Sequence, residues 1–251
     1  MHWAVSSDRF VAFLDVMGFK SLVASISSDR LYALLKMLHG ETQAADRLAR
    51  TVVDGAKSGT AILLTNPSES LRRANRLLRI IQFSDAMLLI SRDNSDAASL
   101  AIRLACIRIY AAGLVHGIAI RGAIAQGVVT ADFRRSLFFG QAIVDAYLLE
   151  EDQKWFGVAE HGSCSVAFPS KGELAGIGAD EIPISESWPV ETSTGTRELI
   201  ALNWTILLSD EREIDRMLHQ QLNHANDKVR TYARATRDFA VSVWRKYRCA
   251  A

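Results

Sequence analysis

The chain has 251 residues, with 29 Lys and Arg against 28 Asp and Glu, a formal net charge of +1. That balance excludes the large basic excess on which non-specific nucleic-acid binding rests. Hydrophobic residues at 49% and charged ones at 23% exclude extended disorder and leave one large domain, or a domain with an appendage.

In chain order, Arg9 to Phe19 (RFVAFLDVMGF) reads as a buried strand ending in a turn, with apolar residues on both parities as in a central strand. Ser28 or Asp29 then caps a helix carrying Leu31, Leu34, Leu35 and Leu38, which extends past Gly40 through Leu48 and Val52. Gly55 to Ser70 reads as a loop. Arg79 to Ser91 (RIIQFSDAMLLIS) is two apolar runs about Ser84-Asp85, a tight hairpin. Ser95 to His116 is an amphipathic helix, Ile118 to Thr130 a strand, and Gln141 to Gln153 a helix led in by Phe138-Phe139-Gly140. Gly157 to Phe168 and Leu199 to Leu208 read as strands, Pro169 to Thr196 as a surface loop with three of the four prolines, and Glu211 to Lys246 as one closing helix. This order predicts an α+β fold, an antiparallel sheet with helices packed on one face.

Cys106, Cys164 and Cys249 are odd in number and far apart, with no CxxC or Cys/His pairing. Neither a disulfide framework nor a zinc site is expected, and a reducing compartment is. The N-terminus meets Asp8 and Arg9 before any apolar run, unlike a signal peptide. Ser99 to Gln126, the most apolar long stretch, is broken by Arg103, Arg108 and Arg121, so its charge-free pieces fall short of the ~20 residues of a membrane span. The expectation is a cytoplasmic protein without a membrane or nucleic-acid partner.

No phosphate-binding glycine loop of the GxxxxGK[ST] or GxGxxG kind and no GxSxG motif occurs, and the six histidines are scattered. Two aspartates stand out. Asp15 interrupts an apolar strand on the parity of Phe13 and Met17, where a carboxylate is costly unless compensated. Asp85 ends the first run of the hairpin, although Asp also favours turns for its own hydrogen bonds. Taken singly, Asp15 also fits a buried ion pair; taken together, the two suggest hard oxygen ligands offered from neighbouring strands to magnesium or manganese.

FLDVMGF, QFSDAMLLIS, IAIRGAIAQG and FFGQAIVDAYLLE resemble, in order and spacing, the class III nucleotide cyclases over about residues 9 to 155. The resemblance implies a ferredoxin-like βαββαβ core. It implies two divalent cations on Asp15 and Asp85, the catalytic carboxylates, helped by the Val16 carbonyl. It implies a triphosphate cradled by the turn Met17-Gly18-Phe19-Lys20, and a homodimer with active sites across its interface. The chain departs from that family where Val144 and Leu148 stand for its transition-state Asn and Arg, and where Ile81 and Leu137 stand for its purine-reading Lys and Asp. FLDVMGFK, QFSD, RGAIAQG, FGQAIVDAYLLE and LNW at Leu202 to Trp204 resemble the pyrimidine cyclases of bacterial Pycsar antiphage defence. That match extends to about residue 208.

The implied activity is conversion of UTP, or CTP, to a 3′,5′-cyclic monophosphate that triggers a separate effector. A purine cyclase and a catalytically silent nucleotide-binding or dimerising module are the alternatives. Lys20 and then Arg121 are the candidate phosphate cations, and Tyr147 a candidate substrate contact. Arg121 fits equally a strand residue paired with an acid, and Tyr147 a packing residue. Residues 8–208 would form the catalytic domain and 209–251 a helical extension.

Overall fold

The computed structural model describes residues 3–58, 76–164 and 182–248. The first strand, β1 (Ser6–Val16), lies inside the sheet, which is why its sequence is apolar on both parities. It pairs antiparallel with β3 (Ala86–Ser91) on one side and with β4 (Ile120–Asp132) on the other, so that Phe13 stands opposite Leu88 and Ala123. Strand β2 (Leu78–Phe83) joins β3 through the expected two-residue turn and closes that edge. The chain passes from β1 to β2 through α1 (Phe19–Ser25) and α2 (Ser28–Ser58), and from β3 to β4 through α3 (Asp96–Val115). With the strand order β2-β3-β1-β4, this is the ferredoxin-like βαββαβ core.

Alternation along β1 divides the interior. Phe10, Ala12, Leu14 and Val16 face α2 and α3 and belong to the main core with Leu38, Leu100, Leu104 and Ile107. Val11 and the partly buried Phe13 face the other way, into a smaller core closed by Ala142 and Ala146 of α4 (Gln141–Asp152). This helix follows the short strand β5 (Leu137–Phe139) and leads to β6 (Val158–Glu160), which pairs parallel with β4. The βαββαβ core therefore has its two crossover helices on one face, and the β4-α4-β6 crossover adds a helix to the opposite face.

Helix α3 is long and apolar enough to cross a membrane, but 83% of its apolar window is buried inside the fold. Its two internal arginines explain how it can be a core helix. Arg103 forms a paired contact with Glu160 of β6 (2.6 and 2.9 Å), and Arg108 meets Glu41 of α2 at 2.7 Å.

Several elements differ from expectation. The N-terminal cap of α2 is Ser27, whose Oγ accepts the Arg30 N–H (3.3 Å). The helix runs on through Gly55 to Ser58, and the rest of the expected Gly55–Ser70 loop lies outside the described residues. The expected strand Gly157–Phe168 is described over Val158–Glu160; residues 165–168 lie outside the described set.

The described part of the expected Pro169–Thr196 loop holds a strand, β7 (Ser185–Thr192), which pairs with β8 (Gly195–Leu202). Pro189 argues against a strand because proline donates no N–H, yet β7 is the edge of the sheet, where that donor has no neighbour to serve. After β8 the chain forms a 3₁₀ turn, Trp204–Leu207, capped by the Asn203 side chain, so the expected strand ends at Leu202.

The single closing helix is two, α5 (Arg212–Leu222) and α6 (Asp227–Arg248). Asn223 ends the first by donating to the His219 carbonyl, and the Asn226 side chain accepts the Lys228 N–H at the start of the second. Both pack into the main core, with Ile214, Leu218, Tyr232 and Phe239 buried there. Trp155 and Trp188 meet Phe239 edge-on at 5.3 and 5.4 Å between ring centroids.

Candidate active site

The two singled-out aspartates converge at the end of β1. In the sheet register Asp15 stands between Ala86 of β3 and Arg121 of β4. The hairpin turn places Asp85 immediately before Ala86 in the chain, next to that row. The backbone locks the pair together, because the Val16 N–H donates to the Asp85 carbonyl (3.0 Å). The Met17 N–H then donates to the Ala119 carbonyl (2.9 Å), and Gly18 takes φ of 75°, a left-handed conformation that glycine adopts without steric cost. This turn swings the chain from β1 into α1 and presents exposed Lys20 beside the strand end.

Asp15 is half-buried, and burial holds its carboxyl above the usual carboxylate range. The negative charge of Asp85 adds to that shift, and Arg121 opposes it. Among the described residues no hydrogen bond reaches the Asp15 carboxylate. A half-buried carboxylate beside a second one, with no donor to compensate it, is the charge distribution that a small divalent cation relieves.

No group of three or more His, Cys, Asp or Glu able to hold a metal occurs among the described residues. The donor set is thus two carboxylates. That fits magnesium-like ions, which bind one or two carboxylates and complete their shell with water and substrate phosphates.

Arg121 has a structural partner. Its Nε donates to Glu150 Oε1 (2.6 Å) and its Nη1 to the Gln153 carbonyl (2.9 Å), all three groups being buried. Burial holds the Glu150 carboxyl above its usual range, with Arg121 opposing the shift and the charges of Asp15 and Glu151 adding to it. Gln153 donates through Nε2 to the carbonyls of Gly122 and Leu149 (3.0 Å each) and accepts from Trp155 Nε1 (2.7 Å). Behind Asp15 therefore lies a hydrogen-bonded polar layer that fixes α4 against β4.

Glu150 escaped the sequence reading, although its signal is present. It continues the stripe of Ala142 and Ala146 at helical spacing, so its position faces the sheet.

Tyr147 packs on its own chain, its ring meeting Phe13 edge-on at 5.3 Å with its hydroxyl beside Glu151. Val144 and Leu148 point outward from α4, 46% and 54% exposed. Beyond Asp15 the open face of the sheet carries Phe13, Leu88 and Ile81 side by side in register, all partly exposed. Leu137 is not brought to Ile81: it pairs with Asp132, far along β4 from the Ala123 that adjoins Phe13.

A cleft of about 540 Å³ lies on the outer side of α4, lined by Asp145, Leu148, His161, Ser193 and Arg197 among others. It does not include Asp15 or Asp85, and its Arg197 is paired with Asp152 at 3.4 Å. The site at the end of β1 lies apart from this cleft.

No family model and no curated protein matches the chain. Among solved structures it is similar to the guanylate cyclase domain of RhGC from Catenaria anguillulae in complex with GTP, at 16% identity and a TM-score of 0.47, covering 79% of this chain and 98% of that one. It is similar also to the non-canonical dimeric guanylyl cyclase domain of the RhoGC fusion protein from Blastocladiella emersonii (15%, TM-score 0.49, 80% and 97%). A third is the adenylyl cyclase CyaB from P. aeruginosa (14%, TM-score 0.43, 78% and 94%). At identities and scores of this size the chemistry has to come from the side chains themselves.

Proposed function

We propose that the chain is a metal-dependent nucleotide cyclase acting on a pyrimidine nucleoside triphosphate, UTP before CTP. The observation that carries this reading is the meeting of Asp15 and Asp85 at one strand end, with no hydrogen-bond donor on the Asp15 carboxylate among the described residues, next to the left-handed Gly18 turn. In the reaction the ribose 3′-hydroxyl loses its proton to water, its oxygen bonds to the α-phosphorus, the bond from that phosphorus to its bridging oxygen breaks, and pyrophosphate leaves with the electron pair.

Divalent cations, Mg²⁺ or Mn²⁺, supply a lowered pKa at the 3′-hydroxyl and charge neutralisation on the triphosphate. Asp15 and Asp85, with the Val16 carbonyl, hold them. The turn Met17-Gly18-Phe19-Lys20 offers backbone N–H groups and the Lys20 ammonium to the phosphates. Arg121, committed to Glu150 and Gln153, acts through Asp15 by holding α4 behind it. Phe13, Ile81 and Leu88 give the base an apolar floor. The absence of a polar side chain at Ile81 supports a base other than adenine, because an apolar group cannot pair with a base edge.

A second copy of the chain, facing the exposed Val144, Tyr147 and Leu148 of α4, completes the site from the other side. The cyclic product would be the messenger to a separate effector, as the resemblance to antiphage cyclases implies. Residues 8–208 would carry the chemistry.

The test is incubation of the purified chain with each of the four ribonucleoside triphosphates and Mn²⁺, followed by chromatographic identification of products. Cyclic UMP or cyclic CMP is expected, and Asp15→Ala and Asp85→Ala should each abolish it. Cyclic AMP or GMP alone would replace the pyrimidine assignment with a purine one. No product from any substrate would leave a silent nucleotide-binding or dimerising module. Turnover that survives both substitutions would remove the metal assignment.

A further inference from the structure

Asp85 sits in a turn that its own sequence does not favour. Ser84 has φ of 55°, and only one other described non-glycine residue, Ser136, shares a positive value. A side chain in the left-handed region is strained, so a serine there needs support from its surroundings.

That support is visible on the helical side of the sheet. Gln82 shares the face of its cross-strand partners Met87 and Leu14, the face covered by α2 and α3. Its Nε2 donates to the Ser84 carbonyl (3.0 Å), and its Oε1 meets His39 Nε2 of α2 at 3.1 Å. With the amide NH₂ used on Ser84, the carbonyl end faces His39, so His39 must be the donor.

The two peptide groups flanking Asp85 are thereby held from opposite directions. Gln82 grips the carbonyl before it, and the Val16 N–H grips its own carbonyl at 3.0 Å. Fixing both peptides fixes the direction in which the Asp85 Cα–Cβ bond leaves the turn beside Asp15.

We propose that His39 and Gln82 form a positioning relay from helix α2 to the Ser84–Asp85 turn, holding Asp85 in the geometry that shares a cation with Asp15. The inference rests on the reading of Asp15 and Asp85 as the metal carboxylates. Neither His39 nor Gln82 touches substrate or metal; each acts through the turn.

The experiment measures Mn²⁺ binding to the full chain by calorimetry and, without metal, hydrogen exchange of the Val16 amide that donates to Asp85. Gln82→Ala should weaken Mn²⁺ binding by about 10-fold or more, the usual cost of losing an outer partner of a metal ligand. It should also speed Val16 exchange while leaving the core helix amide of Leu104 unchanged. Gln82→Glu, which keeps an acceptor for His39 but no donor for Ser84, should behave like Gln82→Ala.

Adding Ser84→Gly to Gln82→Ala should restore both readouts, since glycine holds the left-handed turn unaided. A merely structural loss would not be rescued in this way. Unchanged Val16 exchange in Gln82→Ala, or failure of Ser84→Gly to restore it, overturns the relay. If the unaltered chain binds no Mn²⁺, the metal reading of Asp15 and Asp85 fails, and Val16 exchange alone then decides whether the relay holds the turn.

Discussion

Removing Glu150 tests whether the layer behind Asp15 holds the site. The Arg121–Glu150 contact is 2.6 Å with side chains 11% and 4% exposed. At an effective dielectric of about 20 the gross attraction at that distance is about 6 kcal/mol. Desolvating the two ions costs several kcal/mol each, so the pair as a whole is close to neutral for stability.

The single substitution is not neutral. Glu150→Ala leaves a buried guanidinium with only the Gln153 carbonyl, and breaking one side of such a pair costs about 3–5 kcal/mol. For a chain of this size, about 2–4 °C per kcal/mol, the melting temperature should fall by about 6–20 °C. The double variant Arg121→Met/Glu150→Leu removes both charges and should return to within about 1 kcal/mol of the parent, or exceed it.

Urea unfolding and calorimetry of the metal-free protein measure both. Because Arg121 stands beside Asp15 in the register, the freed guanidinium of Glu150→Ala should also turn to Asp15 and weaken Mn²⁺ binding. A loss below about 0.5 kcal/mol, the size of an ordinary surface change, would refute the argument. So would a double variant as unstable as the single one.

Four further outcomes follow from the same structure. Asp15→Asn removes a charge that burial and Asp85 disfavour, so the metal-free variant should melt above the parent at neutral pH while losing Mn²⁺ binding and turnover. Since the folded-state pKa of Asp15 is raised from the ordinary 3.8, the parent loses stability as pH rises through the window above that value. The advantage of the variant should therefore shrink below it, and an advantage independent of pH would count against the assignment. Where α6 meets the segment before β6, Thr236 Oγ1 accepts the Phe156 N–H (2.9 Å) and donates to the Phe156 carbonyl (2.7 Å) with no exposure at all. Thr236→Val should cost about 1–3 kcal/mol by leaving that buried N–H unpaired, and Phe239→Ala about 3–5 kcal/mol. A chain ended at residue 208 should fail to fold; a cooperative melt of that fragment would instead make residues 209–251 a dispensable extension.

What the sequence determined by itself was local. The apolar runs about Asp15 and Ser84-Asp85 and the long apolar stretch from Ser95 each report their element by length and turn residues. The helix from Ser95, expected to be amphipathic, is instead buried on almost every face, and β1 is buried on both, so neither shows a clean period. The alternation in β1 even marked Asp15 as a charge on an apolar face, and the order of elements was enough for the α+β class, the βαββαβ core coming from the family resemblance. The exceptions arose where a residue's meaning depends on its neighbours in space. Pro189 reads as a strand breaker until β7 is seen to be an edge. Asn223 and Asn226 look tolerable within one long helix until their side chains are seen to bond the backbone at a break.

Only the tertiary structure shows which side chains the candidate residues touch. Arg121, readable as a phosphate cation or as a strand residue paired with an acid, is joined to Glu150, 29 positions along the chain, because the chain folds so that α4 lies on the other face of the sheet. Tyr147, readable as a substrate contact or as a packing residue, has its ring against Phe13. Asp15 and Asp85, separated by a whole helical crossover, meet because β1 and β3 are antiparallel neighbours, and His39 and Gln82 acquire a role only because α2 packs beneath that hairpin. Sequence pattern records how each segment is buried. Pairing between charges is set by which segments become neighbours, and strand order and helix packing settle that in three dimensions.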